Sequence, residues 1–587
     1  MNKLLILLSL SVLPLFALSS ASYAEVYLRY NHAGYSPSQP KIAVLMADSE
    51  QRKKSWSLKD SEGKVVKKGR VGKSLAGKTG HTAKPFNYYI DLAGVNQQGL
   101  YQLFLQDKSL AEIKIQAKPY HALSSEILTH LKVTKSGTDE ALLHPASHMG
   151  DQQALLYRTD GPISEGRWKQ DPSKQTVDML GGWYDAGDYI KFTLTIGYTA
   201  YYMLRAYEEN PAFFAPNNKF APPNKKGELP EVLKEAKFGL DYLLKTHPSE
   251  NEFIIQVSTA EDHNIGLLLP QDDKRDGKRE ALSAISPPQM GMAAAALALG
   301  AKVFAAQGEK VLAKTYQAEA QKIYKRARMP DALKETAYEK KHTNDLYRDT
   351  GEADNMALAA IELYLLTQQQ AYLDQASKYS KSAGAGRWTS WCCMTSSANY
   401  RLAPFDKHAK NRLKKELLHY ARYDAKEGNI WGAPMQPTWA PLIGQLVVAS
   451  YGALASQDKL FSRKTNKTVD NLMWDNLDYF FGRNNWGVAF VASKQVPSSV
   501  KNIYSRIYKI TGAYPTGAVS EGPGGRATYE SIKQWMDPME DDLKYEPFNT
   551  SAQIFYDNSN NFQTMETTIK LQATALYMLA VASKGMQ

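Results

Sequence analysis

Hydrophobic and polar positions follow two different periods along the chain, and the change falls near residue 120. Between Glu25 and Pro119 they alternate in short runs, such as VYLRY, KIAVLM, NYYIDL and GLYQLFL, with SEGK and NQQG as turn candidates. Alternation with a period of two is typical of strands that bury one face. Residues 25–119 are therefore predicted to form a small antiparallel β-sandwich.

Beyond His121 the apolar positions recur three and four residues apart, which is the period of a helix. In ELPEVLKEAKFGLDYLLKTH, for example, Val232, Ala236 and Leu240 lie on one helical face. Later segments such as MGMAAAALALGAKVFAA and TIKLQATALYMLAVAS are apolar on nearly every side, as expected of inner helices in a layered assembly. Residues 120–587 are therefore predicted to form one large all-α domain. Its long loops, rich in Gly, Pro, Asn and aromatic residues, are where function is expected.

Residues 1–24 have the pattern of a secretory signal peptide. Lys3 precedes the apolar run LLILLSLSVLPLFAL, and the small residues Ala21, Ser22 and Ala24 stand before Glu25. No Cys follows this site to accept a lipid, and no other run approaches the roughly 20 apolar residues needed to span a bilayer. The sequence thus predicts an exported protein, periplasmic or secreted, with no membrane span.

Cysteine usage and charge narrow the functional classes. Cys392 and Cys393 are the two cysteines, and a disulfide between neighbours would constrain the unfolded chain very little. Their number and spacing do not suit a metal site, so small thiols in or near the core are the preferred interpretation. The net charge of +11 would allow an anionic glycan or nucleic acid as partner. The lysines are scattered without interleaved aromatics, however, so solvated faces are preferred and no nucleic-acid partner is predicted.

The segment DMLGGWYDAGDYIKF, residues 178–192, is a candidate for chemistry. It holds Asp185 and Asp188 three residues apart in a stretch too rich in glycine to be a stable helix. Asp and Gly also favour turns, and Trp183 or Tyr184 could fill a core, so the stretch alone is equally compatible with a surface turn.

A second acidic cluster stands near the end of the chain, in FYDNSNNFQTMETTIKL. Asp557 lies there in a polar loop, and Glu566 precedes the last apolar helix, where a carboxylate also has a structural role in stabilising the first turn. Together the clusters supply what inverting hydrolysis of a glycosidic bond requires. One carboxylate activates water and one protonated acid serves the leaving oxygen, about 6.5 to 9.5 Å away.

At these residues the chain resembles glycoside hydrolase family 9, the inverting cellulase family. GGWYDAGDYIKF is similar to the family's base motif, and FYDNSNNFQTMETTI is similar to its C-terminal motif. The resemblance implies that Asp188 is the general base, that Asp185 helps to hold the attacking water, and that Glu566 is the general acid. NHAGY, PKIAVL and the LKDSEGKVV hairpin resemble the immunoglobulin-like domain that often precedes such catalytic domains. The implied fold is a small all-β immunoglobulin-like sandwich followed by a large all-α (α/α)6 barrel.

The resemblance also implies a set of substrate contacts. The predicted substrate-binding residues are Trp183, Tyr184, Asp262, His263, Tyr504, Arg506 and Asp557. The match is incomplete here, because NIYSR has Tyr504 and Ser505 where the family usually has two histidines, and TSWCCM has Cys392 where an Asp is common. Because the catalytic carboxylates match the family while several substrate contacts differ, the sequence predicts the hydrolysis reaction and leaves the identity of the sugar open.

The sequence therefore predicts an exported, monomeric glycoside hydrolase that cleaves β-1,4-linked glucan or oligosaccharide with inversion. No cofactor is expected to be required, and the family resemblance is compatible with a structural calcium. The altered contacts leave open an exo-acting β-glucosaminidase on chitosan oligosaccharides, and the basic charge would suit an acidic exopolysaccharide. A non-catalytic glycan-binding protein is the alternative from another class, although a binding protein has no need for an acid and a base facing one bond.

Overall fold

The computed structural model describes residues 25–75, 81–159, 168–214, 228–330, 332, 347, 349, 351–386, 389–423, 429–433, 438–539, 544–584 and 586. The predicted signal peptide, residues 1–24, lies outside the described residues.

In the described part of the chain the first seven strands pair into two antiparallel sheets. They are β1 (Val26–Arg29), β2 (Ile42–Ala47), β3 (Ser55–Lys59), β4 (Val65–Arg70), β5 (Phe86–Asp91), β6 (Gly99–Leu105) and β7 (Lys108–Ile115). The sheet orders are β1-β2-β5 and β4-β3-β6-β7. Leu45 and Tyr88 from one sheet share a core with Trp56, Leu103 and Ile113 from the other. Along β6 the buried side chains alternate with more exposed ones, as the period of two predicts. The predicted N-terminal β-sheet domain is confirmed.

Helices dominate the rest of the described chain. They are α1 (His121–Val133), α2 (Thr193–Glu209), α3 (Glu231–Leu243), α4 (Pro287–Ala306), α5 (Lys310–Ala327), α6 (Ala353–Thr367), α7 (Gln370–Ala383), α8 (Thr395–Leu402), α9 (Lys407–Tyr423), α10 (Pro441–Gln457), α11 (Arg463–Phe480), α12 (Arg506–Thr511), α13 (Arg526–Ile532), α14 (Phe562–Met565) and α15 (Ile569–Ser583). Helices α2, α4, α10 and α15 are buried along almost their whole length, and α4, α10 and α15 are apolar on nearly every side. Among the described helices, α4 is long and apolar enough to cross a membrane, and 83% of its apolar window is buried inside the protein.

The helical domain also contains short strands, so the prediction of an all-α domain is wrong in this respect. They are β8 (Ala154–Thr159), β9 (Trp168–Gln170), β10 (Thr176–Val177), β11 (Lys191–Phe192), β12 (Ile254–Val257), β13 (Glu280–Ser283), β14 (Gly524–Gly525) and β15 (Gln553–Ile554). Strands β10, β8, β13, β12 and β11 lie side by side in that order, with β9 beside β8. They are too short for a period of two to be recognised, and β12 is buried at every position. This sheet positions the loop that carries Asp185 and Asp188, since β11 follows shortly after Asp188.

Asn31 connects the β-sheet domain to the helical domain. Its Nδ2 donates to Oδ1 of Asp478 in α11 (3.0 Å) and to the hydroxyl of Tyr120 (3.1 Å), while its Oδ1 accepts from the N–H of Ala33 (3.0 Å). Asp478 is buried, and burial raises its pKa to about 7. Because a buried carboxylate without a donor is costly, this amide ties the two domains together.

We expect Asn31→Ala to lower the free energy of unfolding by about 1–3 kcal/mol, because Asp478 and Tyr120 lose a buried donor. The Asn31 amide favours the ionised form of Asp478, whose pKa is about 7. The loss should therefore be larger at about pH 8.5 than at about pH 5.5. Urea denaturation followed by tryptophan fluorescence measures both values. The exposed Asn96→Ala is the matched control, and equal shifts in the two variants would contradict the expectation.

Candidate active site

The loop that carries the first carboxylate pair is bent by glycine. Gly181 and Gly182 have φ angles of +97° and +74°, in the left-handed region that glycine adopts without steric cost. Beyond the bend, the N–H of Asp185 donates to the carbonyl of Ile190 (3.0 Å), and the N–H of Ile190 donates to Oδ1 of Asp188 (3.1 Å). The loop is closed on itself, so Asp185 and Asp188 are fixed relative to each other.

The two aromatic residues of this loop lie in the core. Trp183 and Tyr184 are 0% and 1% exposed. The Trp183 ring packs edge-on against Phe238 with centroids 5.6 Å apart, and the Tyr184 hydroxyl contacts Nδ1 of His148 at 2.5 Å. Both side chains are enclosed by protein, and their predicted contact with substrate stays a prediction. They anchor the loop.

Asp185 is held by the last long helix. Its Oδ2 accepts from Nζ of Lys570 in α15 (3.0 Å) and from the hydroxyl of Tyr347, and its backbone carbonyl accepts from the N–H of Ile569 (2.9 Å). Asp185 and Lys570 are each 1% exposed. This burial leaves Asp185 little surface for the water that it is predicted to help hold, so its main contacts are structural.

Asp188 is the more open carboxylate of the pair. Its Oδ2 lies 2.8 Å from Nε2 of His263, and the side chains are 15% and 45% exposed. The hydrogen bond with Asp188 raises the pKa of His263, which favours the imidazolium form. Asp188 is therefore oriented by His263 and keeps access to solvent, as a group that activates water needs.

The structure brings Glu566 to the same loop. The N–H of Gly187 donates to Oε1 of Glu566 (3.3 Å), so the acid candidate contacts the residue directly before Asp188. Glu566 sits between two neighbouring segments, because Tyr504 N–H donates to Met565 O (2.8 Å) and Glu521 N–H donates to Glu566 O (2.9 Å). Burial, followed by the charge of Asp188, raises the pKa of Glu566 to about 8.

Asp262 organises cations rather than substrate. It is 0% exposed, and its Oδ2 accepts from Arg506 Nη1 (2.8 Å) and from the N–H of Tyr189 (2.9 Å), while Oδ1 accepts from Arg275. These contacts are all within the protein, and the predicted contact of Asp262 with substrate stays a prediction. Arg506, 14% exposed, is held in place by Asp262 and lies 5.3 Å from the centre of the Tyr189 ring.

Asp557 also has a structural position. It is 7% exposed, and its Oδ1 accepts from the backbone N–H groups of Lys501 (3.1 Å) and Asn502 (2.9 Å). The Asp557 carboxylate thus fixes the segment that leads to Tyr504, and its predicted contact with substrate stays a prediction.

An aromatic surface extends from the acid candidate. Tyr504, whose backbone pairs with Glu566, lies edge-on to Phe562 with centroids 5.8 Å apart. Phe562 in turn stacks on Trp439, with centroids 5.4 Å apart and an interplanar angle of 24°. Trp439 is 37% exposed. Such a row of rings with one solvent-facing end suits the apolar faces of sugar rings. Sequence reasoning missed Trp439, because it stands far from both acidic motifs.

Comparison with known families identifies this arrangement. The family model described as glycosyl hydrolase family 9 matches residues 120–579, which is more than half of the chain. The chain belongs to glycosyl hydrolase family 9. The model of the cellulase N-terminal ig-like domain matches residues 24–109, in agreement with the two-sheet domain described above. The family resemblance predicted from the sequence is confirmed, and the protein is a glycoside hydrolase.

Relatives within the family are distant in sequence. Endoglucanase C of Cellulomonas fimi is 24% identical over 542 residues, which are 85% of this chain and 47% of that protein. The chain thus spans about half the length of that relative. A xyloglucan-specific endo-β-1,4-glucanase of Bacteroides ovatus is 24% identical over 509 residues, which are 79% of this chain and 80% of the relative.

Solved structures share the fold. A metagenome-derived family 9 endoglucanase superposes with a TM-score of 0.74 at 20% identity, covering 95% of this chain and 99% of that one. A family 9 protein of Bacteroides ovatus gives the same TM-score at 21% identity, with the same coverage of both chains.

Besides Trp439, the residues Tyr347, Lys570 and Glu521 of this family 9 site were not predicted from the sequence. A signal existed for Lys570, because it is the one charged residue in the apolar run IKLQATALYMLAVAS. Glu521 stands directly across from Glu566, since the neighbouring residues Ser520 and Thr567 form an antiparallel bridge. It is 3% exposed, and its Oε2 has no hydrogen-bond partner among the described residues. Burial and the charge of Glu566 raise the pKa of Glu521 well above its ordinary value.

No group of three or more His, Cys, Asp or Glu side chains is arranged to hold a metal ion within the described ranges. The structural calcium compatible with the family resemblance stays a prediction.

We expect Lys570→Met to lower the free energy of unfolding by about 3–5 kcal/mol, because it leaves the buried Asp185 without its cation. Lys584→Met is the matched control near the end of the same helix. Lys584 is 40% exposed, pairs with Glu209 at 2.9 Å, and should contribute less than about 1 kcal/mol.

Urea denaturation of both lysine variants measures the difference. The Lys570→Met/Asp185→Asn double variant should recover part of the loss, because no unpaired charge then remains buried. A double variant that is less stable than the sum of both single changes would contradict the role given to this ion pair.

Proposed function

We propose that this family 9 hydrolase cleaves β-1,4-linked glucan or its oligosaccharides with inversion, with Asp188 as general base and Glu566 as general acid. The observation that carries the proposal is the hydrogen bond between Gly187 N–H and Glu566, at 3.3 Å. This contact supports the proposal, because it brings the partly buried Glu566 next to the loop that carries the more accessible Asp188. The similarity to an endoglucanase of Cellulomonas and to a xyloglucan-specific endo-β-1,4-glucanase of Bacteroides supports a β-1,4-glucan as substrate.

In this proposal Asp188 takes a proton from the water that attacks the anomeric carbon. His263, 2.8 Å away, holds the Asp188 carboxylate in one orientation. Glu566 donates its proton to the leaving oxygen, and a pKa of about 8 keeps that proton available at neutral pH. Asp185, fixed by Lys570 and Tyr347, holds the loop in place. The rings of Tyr504, Phe562 and Trp439 would carry the sugar chain.

We further propose, from family membership, that residues 120–587 form an (α/α)6 barrel behind an immunoglobulin-like domain of residues 25–119. We also propose that residues 1–24 direct export of the protein to the periplasm or the medium.

An exo-acting β-glucosaminidase is the second candidate, and Glu521 favours it. Four carboxyl groups meet at the site, those of Asp185, Asp188, Glu521 and Glu566, whereas Lys570 and His263 are the cations in contact with the aspartates. An amino group on the substrate would provide a buried partner for the free oxygen of Glu521.

Asp188→Asn and Glu566→Gln should each lower kcat on the true substrate by about 10²–10⁴-fold, because each removes one proton-transfer group. A panel of cellulosic, mixed-linkage, xyloglucan and chitosan oligosaccharides identifies that substrate. Asp178→Asn, in the same segment but 48% exposed, is the control and should stay within about twofold of the parent.

Product anomers are followed by NMR during the first turnovers. Initial release of the α-anomer from a β-linked substrate is expected for inversion. Full activity of either catalytic variant, or initial release of the β-anomer, would overturn the mechanism.

The pH dependence follows from the protonated acid. Because the pKa of Glu566 is raised to about 8, the protonated form persists below that value, and kcat/KM should fall as the pH rises through about 8. Initial rates at low substrate concentration measure this limb, with tryptophan fluorescence showing that the fold is retained. An alkaline limb below about pH 6 would show that Glu566 is not the acid.

A further inference from the structure

The two cysteines lie side by side in a turn close to the active site. Cys392 Sγ is 2.9 Å from Cys393 Sγ, and the N–H of Cys393 donates to the carbonyl of Ser390 (3.1 Å). Residues 390–393 therefore form a hydrogen-bonded turn just before α8, with Trp391 and Cys392 at its two central positions. Both cysteines are free thiols and partly exposed.

One thiol of the pair is activated by the other. The two sulfurs are in hydrogen-bond contact, and this contact lowers the pKa of Cys392 while it raises the pKa of Cys393. Since the thiolate is the attacking species in disulfide exchange, Cys392 is the better nucleophile and Cys393 supplies the second thiol at contact distance.

We propose that Cys392 and Cys393 are a reversible oxidation site, at which a small-molecule disulfide of the glutathione class converts the two thiols into a vicinal disulfide. The Cys392 thiolate attacks one sulfur of the small disulfide, forms a mixed disulfide and releases one thiolate. Cys393 then loses its proton, attacks the Cys392 sulfur and expels the second thiolate. Two electrons and two protons pass from the protein to the small disulfide, which becomes two thiols.

The resulting bond would be easy to reduce. Consecutive Cα atoms are about 3.8 Å apart across a trans peptide, whereas ordinary disulfides join Cα atoms about 4.4–6.8 Å apart. The turn must therefore rearrange to close the bond. Disulfides formed against such strain have more oxidising potentials than structural ones, which makes this site reversible.

The turn that must rearrange carries Trp391, whose ring contacts side chains that hold Asp185. The Trp391 ring lies edge-on to Tyr347, with centroids 5.2 Å apart and an interplanar angle of 85°, and 5.5 Å from Nζ of Lys570. Tyr347 and Lys570 are the two side chains that hold Asp185. Oxidation should shift Trp391 and loosen the support of Asp185. This consequence, which rests on the proposed function, is a fall in kcat of about tenfold.

The first measurement is the mass of the intact protein, which does not require enzymatic activity. Reduced full-length protein is equilibrated in buffers of varied glutathione ratio, quenched in acid, treated with a maleimide and weighed intact. The oxidised product should be two hydrogen atoms lighter than the parent and should accept no maleimide. Cys393→Ser should instead accumulate a glutathione adduct, because the second thiol is absent, and Cys392→Ser should react more slowly.

Three mass results would overturn the oxidation site: two maleimides at every glutathione ratio, a lasting glutathione adduct on the parent, or a disulfide-linked dimer.

Initial rates of the reduced and the oxidised protein on the substrate then test the coupling, which is the effect of cysteine oxidation on kcat. The rate should recover with dithiothreitol, and the Cys392→Ser/Cys393→Ser variant should not respond to oxidation. An unchanged rate would overturn the coupling. Inactivity of both forms would count against the proposed function, while the mass result still decides the oxidation site.

Discussion

The site depends on one buried ion pair, between Asp185 and Lys570. Nζ of Lys570 lies 3.0 Å from Oδ2 of Asp185, and both side chains are 1% exposed. Burying two charges costs free energy that only close geometry and further hydrogen bonds offset. Here Tyr347 adds a hydroxyl donor and the Ile569 N–H fixes the backbone, so the loop of the first motif is fastened to the start of α15. Glu566 precedes that helix by three residues, and the same contacts therefore position both carboxylates of the proposed mechanism.

The surroundings of these carboxyl groups also explain how the proposed acid, Glu566, and the proposed base, Asp188, can lie in one site. Asp188 stays accessible and contacts His263, whereas burial and the charge of Asp188 raise the pKa of the partly buried Glu566. Burial and like charge act in the same direction on Glu566, and the single N–H of Gly187 opposes them only in part. The two roles thus follow from environment. Glu566, with few donors and a like charge nearby, keeps its proton to higher pH than an ordinary carboxyl group.

Sequence reasoning reached the domain types and the two acidic motifs, because periodicity extends over long segments and the motifs are dense in Asp, Gly and aromatics. It missed the small sheet from β8 to β13, whose strands are too short to show a period. It also assigned Trp183, Tyr184, Asp262 and Asp557 to substrate. Residue type alone cannot tell a ring that faces a sugar from one that fills the core, since both are amphipathic and both follow glycine-rich turns. Burial, which separates these cases, is a property of the folded chain.

The order of the chain has a consequence for how the site forms. The loop with Asp188 lies before α2, and Glu566 lies before α15, the last described helix. If only one of these two segments has folded, Asp188 and Glu566 are still apart. Lys570 reaches Asp185 only when α15 packs into the core. Contacts so distant in sequence are made late, after the entropy of closing a long loop has been overcome. The proposed acid and base therefore meet only in the complete domain. A change at the Asp185–Lys570 pair should lower stability and turnover together, whereas a change at Asp188, which stabilises little, should lower turnover alone.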